Sequence, residues 1–299
     1  MLFGLPEYKK MIKYYLHNSS YGKAEVVVLG VPDASGSRSL RKSGIEKGPD
    51  YIRKVSQKFD LFKWKGEKAR RVESSHGIIK VRVCDIGNVP KKLLVDGVRN
   101  ICEDEKVPLI FGGDHSLTAL SVKGVASSVD KLVFVYFDAH PDFRCGFGNY
   151  YGSVLCELQK LKNIFFKNSV LIGMRAPEKA EVIAIKKSGL LVITPEDIEL
   201  LGVKKVIDKI NKRIGKLPIY LSVDLDVADP SAAPGVDTPV SGGLSAVQLL
   251  ALIEQISKKK IIGADVVEVN PRFDIQNQTG HLASRVVAEM IASCQKSYK

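Results

Sequence analysis

No stretch of this sequence approaches the roughly 18 consecutive apolar residues that a membrane-spanning helix requires, so no membrane partner is expected. The opening segment MLFGLPEYKKMIKYYLH carries charge too early and too often for a secretory signal. Cysteine is scarce: Cys84, Cys102, Cys145, Cys156 and Cys294 make an odd set with no C-x-x-C pair. That pattern suggests neither a disulfide framework nor a zinc knuckle, and it fits a reducing cytosol. A cytoplasmic protein is therefore expected. Internal repeats, low-complexity tracts and linkers are missing as well, so one domain over residues 1–299 is the expectation.

Acidic residues are outnumbered, 33 against 45 basic, which leaves a formal charge of +12. Such a charge can attract any anion. The basic residues are nevertheless scattered through SRSLRKSG, KWKGEKARR and SKKK without interleaved aromatics. Specific nucleic-acid binding is not expected; the competing reading, an anion or nucleic-acid binder, would show a steep loss of binding with salt.

What the chain does have is a series of short β-branched runs, at 25–30, 108–113, 131–138, 169–174, 190–194, 218–224 and 261–269. Each is nearly continuous in apolar character, as strands covered on both faces are. Helix-like stretches separate them, over 116–129, 180–189, 194–215 and 245–259, with Thr194 and Ser245 as N-cap candidates. Alternation of this kind predicts an α/β fold, a parallel sheet with helices on both faces and ligands beyond the strand carboxyl ends. The charged segment KWKGEKARRVESSHG, 63–77, is predicted to be a surface excursion.

Four strand ends collect nearly all the reactive groups: FGGDHS with His115, YFDAHPD with Asp138, His140 and Asp142, SVDLDVADP with Asp224 and Asp226, and VVEVNP with Glu268. On an extended backbone residues i, i+2 and i+4 point the same way, so each set can face one point. Unpaired carboxylates at an apolar sheet edge would be strongly disfavoured, and divalent cations remove the difficulty. Four carboxylates and two imidazoles exceed one tetrahedral zinc site; the oxygen-rich mixture suits two manganese-like ions sharing carboxylates. Taken singly, His115 or a D-x-D step is commonly just a hydrogen-bonded strand end or turn. Glu268 reads equally as a further ligand, an ion-pair member or a substrate anchor, and Asp265 as a surface or strand-start residue.

The motifs G-G-D-H-S, D-A-H-x-D, S-x-D-x-D followed by D-P, and V-E-V-N-P resemble those of the ureohydrolase superfamily of arginase, agmatinase, formiminoglutamase and guanidinobutyrase. GVPDASGSRS, GIEKGPDYIRK, DIGNVP and APGVDTPVSGGLS extend the resemblance over almost the whole chain. It implies a three-layer αβα sandwich with a central, mostly parallel sheet, and commonly a homo-oligomer, trimer or hexamer. It further implies that one Mn2+ is held by His115, Asp138, Asp142 and Asp224 and the other by His140, Asp138, Asp224 and Asp226. Water activated between them would attack a guanidino carbon, Asp142 orienting it and Glu268 pairing with the small cationic guanidino substrate.

Two departures stand out. Relatives carry a proton-shuttling histidine in a segment that here reads FGNYYGS, with Tyr151 at that place, and a glycine where this chain has Asp237. Tyr151, with a phenol pKa of about 10, can donate a hydrogen bond or relay through water. A family member that binds metal but has lost turnover is the competing reading. Asp237 would either attract a cationic tail or cap a turn. The segment IGMRAPEKAE lacks the D-V-D of arginases, and CGFGNYYG lacks their Asn and Ser. The resemblance therefore points to agmatine as substrate, cleaved to putrescine and urea in polyamine formation, with arginase, guanidinobutyrase and formiminoglutamase activity as alternatives.

Overall fold

A computed structural model describes residues 11–37, 44–57, 61–65, 68–72 and 79–294. The chain runs β1 (Val26–Gly30), α1 (Gly48–Ser56), β2 (Leu61–Lys65), β3 (Lys68–Val72), β4 (Val83–Asn88), α2 (Leu94–Glu103), β5 (Val107–Phe111), α3 (Ser116–Ala126) and β6 (Val133–Phe137). It continues through α4 (Val154–Leu158), β7 (Val170–Ile172), α5 (Lys179–Ser188), β8 (Leu191–Ile193), α6 (Pro195–Ile214), β9 (Ile219–Asp224), α7 (Ala246–Ile256), β10 (Ile261–Val267) and α8 (Gln278–Ser293).

Eight strands form one parallel sheet in the order β4-β1-β5-β10-β9-β6-β7-β8. Alternate residues of a strand enter different cores, which is why these runs are apolar throughout. Val133, Val135 and Phe137 of β6 pack with Ile52, Ile210, Leu252 and Val286 of α1, α6, α7 and α8. Phe134 and Tyr136 pack instead with Val98, Val122, Leu155 and Ile185 of α2, α3, α4 and α5. Helices on both faces make the αβα sandwich that the sequence pattern predicts.

Thr194 and Ser245 do cap α6 and α7. Each closes a capping box, with Asp197 and Gln248, that satisfies first-turn N–H groups. Helix α6 is broken at Gly202, where φ is +76°. In the region expected to be an excursion, β2 and β3 form an antiparallel hairpin outside the main sheet; 66–67 and 73–78, with His76, lie outside the described residues.

The cysteine expectation is corrected. Cys145 and Cys156 form a disulfide with Cα atoms 5.4 Å apart, leaving Cys84, Cys102 and Cys294 free. Their separation in sequence hides the pairing because the intervening chain doubles back: the Arg144 N–H donates to the Gly152 carbonyl at 2.9 Å. The argument from cysteine to a reducing compartment therefore falls. Among the described residues no helix is long and apolar enough to cross a membrane.

Candidate metal centre

The central neighbours β5, β10, β9 and β6 are the strands whose carboxyl ends carry the candidate groups, so adjacency in the sheet brings together residues distant in sequence. Register does the fine alignment: Phe137 lies beside Val223, and Asp224 beside Val267, so Asp138 and Glu268 follow on either side of Asp224. After β5 the chain turns through Gly112 and Gly113. A Cβ on Gly113 would stand 2.0 Å from the Asp33 carbonyl, so only glycine admits this approach.

All six predicted metal-binding residues converge. Nδ1 of His115 lies 3.0 Å from Asp138 Oδ2, 3.0 Å from Asp224 Oδ2 and 3.2 Å from Asp142 Oδ2. Nδ1 of His140 lies 3.0 Å from Asp226 Oδ2 and 3.5 Å from Asp138 Oδ1. Two groups of ligand atoms, His115–Asp138–Asp224 and Asp138–His140–Asp226, each fall within 4.8 Å of one another, with Asp138 common to both. Asp224 turns its Oδ1 to the Asp226 N–H at 2.8 Å.

The route to this convergence differs from the extended backbone expected. Strand β6 ends at Phe137, and Asp142 reaches the cluster at φ +47°; Asp226 does so from a 3-10 turn, Leu225–Val227. Turns, more than strand alternation, aim these side chains. Glu268 also has a positive φ, +63°, and its Oε1 accepts the His115 N–H at 2.8 Å. Such backbone costs about 1–2 kcal/mol per residue.

The donor set fits divalent cations. His115 is buried, yet its Nδ1 has no hydrogen-bond partner while three carboxylates surround it. Burial and then the Asp138 charge push Asp142 up to about 7. Burial, with Asp226 and Asp138, holds Asp224 well above the carboxylate range. Asp138 is shifted the other way: burial would raise it, but His115 and His140 hold it below the carboxylate range, so this crowd of buried carboxylates is one that added positive charge stabilises.

His115 is aimed by groups that carry no signal of their own in the sequence. Its Nε2 lies 3.2 Å from Ser222 Oγ, whose hydroxyl donates to Asp265 Oδ1 at 2.6 Å; Tyr220 donates to Asp265 Oδ2 at 2.7 Å. Asp265 is 1% exposed, so the surface or strand-start reading of it is corrected. Its partners lie on β9, next to β10 in the sheet but over forty residues away. Thr238 Oγ1 donates to Asp226 Oδ2 at 3.0 Å. Arg175, already visible in I-G-x-R, donates to the Asp226, Val227 and Val240 carbonyls and holds that turn.

A cavity of about 250 Å³ opens onto the cluster, lined by His140, Asp142, Arg144, Tyr151, Glu178 and Thr238 among others. Tyr151 packs against Tyr150 with the rings tilted by 51° and their centroids 4.4 Å apart. Burial first, then Tyr150 and the charges of Glu268 and Asp142, raise its pKa, so the phenol keeps its proton. Asp237 accepts from Asn270 Nδ2 and is not among the cavity residues. His17 accepts the Asp85 N–H, away from the centre.

A family model described as "Arginase family" matches residues 24–292. Proclavaminate amidinohydrolase of Streptomyces clavuligerus is 32% identical over 287 residues, covering 92% of this chain and 90% of that protein. An agmatinase of Citrobacter koseri is 30% identical over 274 residues, covering 90% and 87%. The crystal structure of arginase from Bacillus subtilis matches with a TM-score of 0.75 at 30% identity, covering 89% of this chain and 98% of that one.

Proposed function

The chain belongs to the arginase family of hydrolases acting on guanidino C–N bonds, and from that premise we propose a two-manganese enzyme cleaving a small linear guanidino compound to urea and an amine. The observation that carries the reading is the pair of ligand groups joined through Asp138, with His115 Nδ1 unbonded among carboxylates. His115, Asp138, Asp142 and Asp224 would hold one ion; His140, Asp138, Asp224 and Asp226 would hold the other. When bound, such a pair supplies Lewis acidity and water of lowered pKa.

The chain's own groups do the rest. Asp142, whose Oδ2 lies 3.2 Å from His115 Nδ1 and which lines the cavity, orients the attacking water. Glu268, with one oxygen held by the His115 N–H, offers the other to the substrate guanidinium. Tyr151 is among the cavity-lining residues, and its proposed role is to donate to the leaving nitrogen or relay a proton through water. Its raised pKa makes it a hydrogen-bond donor, not a shuttle of the imidazole kind.

Agmatine is the first substrate to test, on the sequence motifs and the agmatinase relatives. Urea release from agmatine, arginine and 4-guanidinobutyrate, and cleavage of a formimino acid, are to be measured with added manganese. Turnover of at least one supports the proposal, and none across the panel refutes it. Tyr151→His is expected to raise turnover; if no variant turns over while two metal equivalents bind, the chain is a binding protein.

A further inference from the structure

The cavity that opens onto the metal cluster is lined in part by residues that no step above uses. Arg144 stands there, two residues beyond Asp142, with its side chain 40% exposed. It is anchored by ion pairing from Nη2 to Glu178 Oε1, and its Nε and Nη1 donate no hydrogen bond among the described residues. Two carboxylates share the wall, but both are committed. Glu181 is buried and accepts the Phe143 N–H at 3.0 Å on one oxygen and the Glu178 N–H at 2.9 Å on the other. Glu178 sits at the N-cap of α5, where the positive helix end and Arg144 both offset its charge.

The position of Arg144 is fixed independently of Glu178. Its N–H donates to the Gly152 carbonyl, its carbonyl accepts the Ser153 hydroxyl at 2.5 Å, and the Cys145–Cys156 disulfide closes the same loop. A guanidinium on a braced backbone, with a planar fork partly open, is suited to bidentate contact with a carboxylate.

Resting on the proposed amidinohydrolase reading, we propose that Arg144 is a specificity-determining residue and that the preferred substrate carries a carboxylate at the end remote from its guanidino or formimino group. Agmatine, which ends in an ammonium, is then a poor substrate, and 4-guanidinobutyrate, a near-isosteric guanidino acid, is a good one. A charge-assisted bidentate pairing that the acid can make and agmatine cannot corresponds to about 10- to 100-fold in kcat/KM.

The test uses the manganese-loaded full chain with both compounds, reading kcat/KM from urea release and Kd from calorimetric titration. Expected is a preference for 4-guanidinobutyrate of at least about tenfold, abolished in Arg144→Gln through KM with kcat little changed, and reversed in Arg144→Glu. Glu178→Gln should strengthen the preference. A preference for agmatine, or a preference for the acid that survives Arg144→Gln, overturns this inference and leaves the amidinohydrolase reading standing. If neither compound is bound or cleaved, this inference is overturned, while the amidinohydrolase reading is decided by the full panel of four compounds.

Discussion

Replacing Ser222 with alanine removes no proposed ligand, yet it should weaken metal binding through the hydroxyl's contact with His115. The chain Asp265–Ser222–His115 places an acceptor against Nε2, which keeps the imidazole proton there and leaves the Nδ1 lone pair facing Asp138, Asp142 and Asp224. Without the hydroxyl the opposite tautomer, Nδ1–H among three carboxylates, becomes the favoured one, and any cation must displace that proton. Loss of such a supporting contact typically costs 10–100-fold in metal affinity, about 1.4–2.7 kcal/mol. Folding stability should also drop by about 1–3 kcal/mol, because a buried Asp265 oxygen loses a donor. The manganese Kd is to be measured by titration against a metal buffer, with kcat at saturating metal as control. Ser222→Thr should bind as the natural chain does. Asp265→Asn should bind worse than Ser222→Ala, since an amide that donates to Ser222 turns the hydroxyl proton toward Nε2 and enforces the wrong tautomer. A Ser222→Ala Kd within about twofold of the natural chain would refute the assignment of Nδ1 as the ligand atom.

Asp138→Ala is expected to abolish activity and leave less than one metal equivalent by elemental analysis, whereas Glu268→Ala should retain both metals and raise KM; equal metal loss would mean that Glu268 is a ligand. In metal-free protein, burial opposes the charge on His140, but Asp138 and Asp226 outweigh it and push His140 up to about 12, while burial and Asp138 push Asp142 up to about 7. Unfolded values are near 6.5 and 3.8, so the folded chain holds protons that the unfolded chain releases, and stability falls as pH rises through those windows. Calorimetry should show the Tm of chelator-treated protein falling from about pH 6 to about pH 9 and that of the manganese form holding level; a flat chelated profile would contradict the cluster's electrostatics. Removing the Cys145–Cys156 bond by Cys156→Ser should cost about 3 kcal/mol, from the short loop it closes, and lower Tm by several degrees; an unchanged Tm would show that the bond does not brace the fold.

Much of the fold is legible in the sequence for a simple reason. Most of the main-sheet strands are buried on both faces, so their composition alone marks them, and strand ends in a parallel sheet are where ligands gather. What escapes is whatever depends on a partner. Strand β4, VCDIGN, carries a buried Asp85 that breaks its apolar character, and it is tolerated because the Arg53 guanidinium bonds it at 2.8 and 2.9 Å and the Tyr14 and Gly87 N–H groups donate to it as well. Asp265 in β10 is the same case, with its hydroxyl donors on β9. Helices α1 and α2 are a different case: Ile52 and Val55, and Leu94, Val98 and Ile101, stand at helical spacing and mark apolar stripes that periodicity alone could have found.

The site itself shows why motif spacing succeeds although the geometry it suggests does not. Alternation on an extended strand would aim the side chains of D-A-H-x-D, but the chain bends after Phe137 and crosses into left-handed backbone at Asp142. Left-handed backbone is unfavourable for aspartate and glutamate, so its occurrence at Asp142 and again at Glu268 requires surroundings that hold it there. At Glu268 the His115 N–H bond supplies that hold; at Asp142 the Leu155 N–H, donating to its carbonyl at 3.0 Å, does so from α4. Leu155 lies in the loop closed by Cys145 and Cys156, so the loop that presents Arg144 also fixes the carbonyl of Asp142. The substrate selection proposed for Arg144 and the water-orienting role proposed for Asp142 would thus share one mechanical support. Changes that loosen the loop should therefore alter kcat and KM together, whereas Arg144→Gln, which leaves the loop intact, should alter KM alone.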